Sequence, residues 1–161
     1  MKKYKDLQIS AICAIDDDNG IGKDNSIPWY NPSDLRFFKS FTINKIVVMG
    51  KNTWISLPKK PLPQRINVVI SSSADFAITP DKIFSNLDLA LSSLHSEHPK
   101  KEIVIIGGSQ LYKSAEPYID EFVITHVTGS HDCDTFLNVD FSKYSSSPMR
   151  FEDLNITSYK K

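Results

Sequence analysis

The sequence predicts an α/β fold: one domain built on a mostly parallel sheet. Three observations carry this. Five short, β-branched runs are apolar on both faces, as strands buried between two layers are. Helical patterns lie between them, so strand and helix alternate and the connections are crossovers. A length of 161 residues, 40% of them hydrophobic, suits one domain with a sizeable core.

The elements follow in chain order. QISAICAI (8–15) is the first strand. DDDNG (16–20) lacks the later glutamate of a calcium loop and reads as a solvated turn. In IPWYNPSDLRFF (27–38), Asn31 can cap a helix and Pro32 suits its first turn, which predicts a helix over 32–41. KIVVMG (45–50) is a strand, and a helix follows over 52–57. INVVIS (66–71) is the third strand, and SNLDLALSSL opens a helix over 87–94 with a cap at Ser85 or Asn86. EIVIIGG (102–108) leads into a helix over 109–115, and EFVITHV (121–127) is the last of the five runs. MRFEDLNITSY (149–159) can supply an edge strand or two. There is no internal repeat and no low-complexity linker.

Composition removes several function classes. A formal net charge of +0 gives no basic surface for nucleic acid or membrane. The opening MKKYKDLQISAICAIDDD resembles a leader briefly, but its apolar run is short, broken by Gln8 and Ser10, and without a small-residue cleavage site. No apolar run reaches the ~20 residues of a membrane span. Cys13 and Cys133 make no disulfide framework, so a cytoplasmic protein is expected. HSEH (95–98) and HDCD (131–134) lack the paired spacing of a zinc site and read as solvated loop residues; no metal is expected. No GxSxG elbow is present.

Two features point to chemistry. Asp34, in the first turn of the helix over 32–41, shares a face with Phe38 and Phe41, which should be buried. The macrodipole alone would favour an acidic residue there, by roughly 0.3–1 kcal/mol, so Asp34 is either a helix starter or a working carboxylate. The second feature is a set of three strand ends. VVMGKNTW and VIIGGSQLY each run from strand through glycine into helix, and VVISSS ends in three serines. Such turns offer free N–H groups and close backbone approach at the carboxyl edge of a sheet. With Lys51 they suggest a long, multi-phosphate anion such as a dinucleotide, although neither GxGxxG nor GxxxxGK[ST] is complete.

Seven ordered segments, GIGKDNSIPW, DLRFFK, VVMGKNTW, LPQRINVVIS, IIGGSQLY, ITHV and CDTF, make the chain resemble the dihydrofolate reductases over nearly its whole length. The resemblance implies a three-layer domain over residues 1–161, with about eight strands, flanking helices and an antiparallel C-terminal strand. It implies hydride transfer from NADPH to 7,8-dihydrofolate, giving tetrahydrofolate for one-carbon metabolism, by a monomer open to antifolate inhibitors. Asp34 matches the family's acidic active-site residue, which bonds the pterin 2-amino group and N3. Thr125 matches its supporting threonine, and Trp29 the tryptophan that borders the site through water.

Further positions follow from the same likeness. Ile12 and Ile106 match strand residues with carbonyls beside the pterin, and Tyr112 joins the substrate-binding set. Leu35, Phe38, Leu57 and Leu62 match the lining of the p-aminobenzoyl ring, and each could equally be core. Arg65, one of only three arginines, matches the residue that grips the glutamate α-carboxylate. For the cofactor, Ala14 and the loop with Ile21, Gly22, Asn25 and Ser26 match the segment beside the nicotinamide. Gly50, Lys51, Asn52 and Thr53, then Ser71, Ser72 and Ser73, then Gly107, Gly108, Ser109, Gln110 and Leu111 match the dinucleotide turns. The Gly107–Gly108 peptide is expected to be cis.

The chain departs from the pattern in places. Gln110 stands where some relatives carry a basic residue, which leaves Lys51 more of the 2′-phosphate. Asn138 replaces a frequent proline. Only 20 residues follow Phe141, so abbreviated last strands or an open edge are expected. A pyrimidine reductase of riboflavin synthesis shares the fold, but the PSDLRFF helix favours the folate enzyme. A silent nucleotide-binding homologue is disfavoured by the set Asp34, Thr125, Gly107 and Gly108.

Overall fold

Six strands run parallel because crossovers connect each of them to the next. They are β1 (Ile9–Ile15), β3 (Ile46–Gly50), β4 (Ile66–Ile70), β5 (Lys82–Phe84), β6 (Ile103–Gly107) and β7 (Glu121–His126). The protein is described by a computed structural model over residues 6–161; residues 1–5, where the leader-like segment begins, lie outside the described residues. The sheet order is β5-β4-β3-β6-β1-β7-β10-β9, eight strands in all. Here β9 is Ser145–Met149 and β10 is Ile156–Lys160, and β10 lies antiparallel to both neighbours. The expected mostly parallel sheet with an antiparallel C-terminal strand is thus present.

The last strands are not abbreviated. β9 and β10 pair over five positions each. β9 is the outer strand, and Pro148 removes one of its ladder donors, which blunts the edge. A second, small ribbon joins β2 (Gly20–Gly22) to β8 (Thr135–Phe136). β2, β5 and β8 are only two or three residues long, too short to show a period in the sequence.

The strand period of two divides the core into layers. On one face Ile9, Ala11, Cys13, Ile46, Val48, Ile103, Ile105, Phe122 and Ile124 pack with α3 (Leu87–Glu97) and α4 (Ser109–Ala115). On the other, Ile12, Val104 and Val123 meet Phe37 of α1 (Pro32–Thr42). Val47, Met49 and Val69 meet Trp54 of α2 (Lys51–Ser56) on that same face. Burying each such aliphatic side chain contributes roughly 1.5–3 kcal/mol, so this alternation is what fixes the register.

Local signals place the helix ends. Asn31 accepts the N–H of Asp34 at 3.1 Å and caps α1. Asn86, not Ser85, caps α3 through the Leu89 N–H at 2.9 Å. α3 extends past Leu94 by one exposed turn, which an apolar pattern cannot reveal, and stops before Pro99. α2 ends at Ser56 because Leu57 takes an extended conformation ahead of Pro58.

One expectation about α1 is corrected. Its fully buried aromatic residue is Phe37, while Asp34, Phe38 and Phe41 are only half-buried. The side of the helix that carries Asp34 therefore lies at the edge of the core rather than within it.

Candidate active site

Asp34 enters the site from the first turn of α1, with its backbone fixed by the Asn31 cap. Burial pushes its carboxyl above the ordinary aspartate range, and the nearby Thr125 opposes this to a smaller extent. The charge of Asp34 also reaches Cys13 and Tyr112 across the strand ends and helps raise both their pKa values. Thr125 of β7 is buried, yet its Oγ1 has no hydrogen-bond partner of full geometry; Trp29 Nε1 is in the same condition. Among the described residues these are the two buried side-chain polar atoms left unpaired. Buried polar groups are almost always satisfied, so both mark places suited to a polar ligand or water.

The floor and walls come from three adjacent strands and two helices. Ile12 of β1 and Ile106 of β6 lie on the α1–α2 face of the sheet. Phe38 packs on the α1 cluster and Leu57 and Leu62 on the α2 cluster, while Ile106 belongs to both. The two clusters therefore meet at Ile106. Leu35 is 55% exposed, so it has no core role. The Ile12 carbonyl is engaged already: the buried Tyr112 hydroxyl donates to it at 2.7 Å, leaving one lone pair.

Arg65 sits at the far end of α1. Its Nε donates to the Pro63 carbonyl at 2.9 Å and its Nη1 to Thr42 Oγ1 at 3.1 Å. Partial burial lowers its pKa, but from so high a value that the guanidinium stays charged. No carboxylate pairs with it among the described residues. Two supporting residues escaped the sequence reading. Thr42 both holds Arg65 and donates to the Phe38 carbonyl at 2.7 Å. Asn67, fully buried in β4, accepts from Leu62 N at 2.9 Å and donates to the carbonyls of Leu62 and Arg65, both at 3.0 Å. A lone amide within an otherwise apolar run was the signal that could have found it.

The three glycine and serine turns end β3, β6 and β4, which are consecutive in the sheet. Gly50 and Gly108 are the N-caps of α2 and α4, and neither offers a side-chain cap, so the first N–H groups remain available. The turns touch: a Cβ on Gly50 would lie 3.9 Å from the Gly107 carbonyl oxygen. The Gly107–Gly108 peptide is cis and Gly107 has φ +124°, where a side chain is strained and would crowd Tyr112 and Thr53. Lys51 Nζ lies 5.1 Å over the Phe76 ring. Ser71 Oγ accepts the Ser73 N–H at 3.1 Å, and Ser72, Asn52 and Gln110 are exposed. Ser109 is half-buried, but the Leu111 side chain belongs to the α3–α4 core, which leaves only its backbone near the turn.

The loop after β1 corrects two expectations in part. DDDNG is solvated at Asp17, Asp18 and Asn19, but Asp16 is 4% exposed. Its Oδ1 accepts from Asp18 N at 2.9 Å and Gly20 N at 2.7 Å, and its Oδ2 from His131 N at 3.0 Å and the Cys133 thiol at 3.5 Å. Burial raises the Asp16 pKa, but these donors together lower it more. Asp17 accepts from Gly129 N at 2.9 Å, and Asp18 from Ser130 Oγ at 2.5 Å. HDCD is the other half of this clamp through His131 and Cys133, which are half-buried, while Asp132 and Asp134 are solvated as expected. His131 meets the Trp29 ring edge-on at 5.2 Å, and Asp134 accepts the Asp24 N–H at 3.0 Å. Ala14, Ile21 and Gly22 are half-buried alongside, whereas Asn25 and Ser26 are exposed at the loop tip. Among the described residues no His, Cys, Asp or Glu cluster could hold a metal. No helix among them is long and apolar enough to cross a membrane.

Comparison with known proteins matches this geometry to one family. The family model for dihydrofolate reductase matches residues 8–158. The dihydrofolate reductase of Neisseria gonorrhoeae is 41% identical over 130 residues, covering 81% of this chain and 78% of that protein. The type 3 dihydrofolate reductase of Salmonella typhimurium is 38% identical over 153 residues, covering 92% of each. A solved dihydrofolate reductase from Enterococcus faecalis, complexed with NADP(H) and RAB-propyl, superposes with TM-score 0.83 at 27% identity over 95% of both chains. With the matched stretch running from the first strand to the last, the chain belongs to the dihydrofolate reductase family.

Proposed function

We propose that the protein reduces 7,8-dihydrofolate to tetrahydrofolate with NADPH, and that Asp34 is the carboxylate that serves the pterin. The observation that carries this is a half-buried carboxylate with a raised pKa, beside the unpaired Thr125 hydroxyl and at the seam of two apolar clusters. The residues present fit both ligands. The uncapped helix starts at Gly50 and Gly108, cleared of side chains, suit phosphates, and NADPH when bound supplies the hydride.

The chain's own residues do the rest. Asp34 holds the pterin 2-amino group and N3 and favours arrival of a proton at N5, directly or through water. An apolar surround strengthens that interaction. Trp29 and Thr125 order the polar end of the groove. Ile12, Leu35, Phe38, Leu57, Leu62 and Ile106 exclude water from the aromatic body of the substrate. The protein acts as a cytoplasmic monomer in this reading. Loss of NADPH absorbance on adding dihydrofolate tests the activity; absence of turnover at any pH rejects it.

Two variants assign the ends of the site. Arg65→Leu is expected to raise the KM for dihydrofolate by about 10- to 100-fold, a charged hydrogen-bonded contact being worth ~1.5–3 kcal/mol. The KM for NADPH, and turnover of a pterin without a glutamate tail, should hardly change. Equal losses would make Arg65 structural. Lys51→Glu should weaken NADPH far more than NADH, because a 2′-phosphate gains charge-assisted bonds from a lysine and from Ser72. Equal weakening would remove Lys51 from 2′-phosphate recognition.

A further inference from the structure

The carboxylate of Asp34 is paired with no cation among the described residues, so its position is inherited from the backbone of the first turn of α1. The end turns of a helix fray most readily, and the Asn31 cap ties only one N–H of this one. In this chain a second element holds it. Arg36 donates through Nε to Glu152 Oε2 at 2.8 Å and through Nη2 to Glu152 Oε1 at 2.5 Å. Ser33 Oγ donates to Glu152 Oε1 at 2.8 Å and accepts from Arg36 Nη2 at 3.1 Å. Ser33 and Arg36 bracket Asp34 and Leu35 in the sequence, and Glu152 lies in the turn between β9 and β10.

The turn is built to present that carboxylate. Glu152 adopts φ +51°, a left-handed conformation uncommon for a residue with a side chain. The preceding Phe151 packs on Phe37 of α1 with ring centroids 5.2 Å apart. Met149 and Leu154 join the same cluster. The apolar contact sets the distance between hairpin and helix, and the forked ion pair sets the angle. Asp153 also faces Arg36 and adds a second negative charge beside Glu152. The Arg36 side chain holds the Glu152 carboxyl down to about 2, so the pair is ionised at any working pH.

We infer that the β9–β10 turn is a support for Asp34, with Arg36 and Glu152 as positioning residues for dihydrofolate reduction. This rests on the role proposed for Asp34. An exposed ion pair by itself contributes little to stability. Here the bidentate fork and shared hydroxyl couple it to the one turn whose placement the substrate reads, so its effect falls on substrate geometry.

Arg36→Met, Glu152→Gln and the double variant test this, with both KM values, kcat and Tm measured for each. Each single change is expected to raise the KM for dihydrofolate ~3- to 10-fold with the KM for NADPH unchanged, and the double change should be no worse than either, since contacting residues are non-additive. The exchanged pair Arg36→Glu/Glu152→Arg should recover part of the loss. A lowered Tm with a wild-type KM for dihydrofolate would make the hairpin merely stabilising and overturn the inference. So would equal increases in both KM values. The inference fails alone if Asp34→Asn abolishes hydride transfer while these variants match wild type; if Asp34→Asn is itself fully active, the reading of the site fails first.

Discussion

Replacing Asp34 by Asn is expected to slow hydride transfer at neutral pH by ~10²–10⁴-fold, the usual range for loss of a general acid–base group. The variant keeps the shape and the Asn31 cap but cannot carry an exchangeable proton. Wild-type transfer should slow as pH rises through the raised pKa of Asp34, because the protonated complex is lost. The variant should recover partly in acid, where the substrate already carries its proton at N5. The same residue should cost stability. A carboxyl whose folded pKa is raised contributes stability that is complete below its unfolded pKa and lost as pH rises through the folded value. Above that folded value the carboxylate is ionised against its surroundings, so there Asp34→Asn should melt at a higher temperature than wild type. Single-turnover rates and melting temperatures across pH read both effects. A wild-type rate and pH profile would return Asp34 to the role of helix starter.

Gly20→Ala should be the most damaging small change outside the pterin groove. The added Cβ would lie 2.5 Å from both Cβ and Sγ of Cys133 and 2.9 Å from Asp16 Oδ1. The neighbours must move, and they are the centre of the Asp16 clamp. Overpacking of this kind costs about 1–3 kcal/mol, readable as a lower urea midpoint with an unchanged slope. NADPH affinity should fall with it, because the same loop leads to Ile21 and Gly22. Adding Cys133→Gly removes two of the three clashing atoms and should return part of the loss. If Gly20→Ala matches wild type in both measurements, the clamp has slack that the contact distances do not show.

The β-branched runs and the helices between them determined the α/β class and the mostly parallel sheet without help, because burial on both faces leaves a strand few polar positions and a crossover usually runs through a helix. The pairing of VVMGKNTW, IIGGSQLY and DLRFFK was legible as a set, since turn chemistry and a carboxylate on an apolar helix face are local features. Leu57 and Leu62 were ambiguous between core and pocket, because apolar lining and apolar core have one composition; the structure leaves both half-buried at the edge of the Trp54 cluster.

The tertiary structure decided what local sequence could not encode. Whether an aspartate of DDDNG is solvated depends on what stands opposite it: Asp17 and Asp18 stay exposed, while His131 and Cys133 arrive from more than 100 residues away to bond the buried Asp16. Asn67 reads as a flaw in a strand until the 62–65 loop folds over it, and Thr42 as an ordinary helix residue until Arg65 reaches it. Glu152 gains meaning only when the hairpin turn lies against α1. Apolar periodicity fixes which face of an element is buried, and so the layers. Polar contacts between distant loops have no period, and long-range packing alone chooses which carboxylate meets which donor.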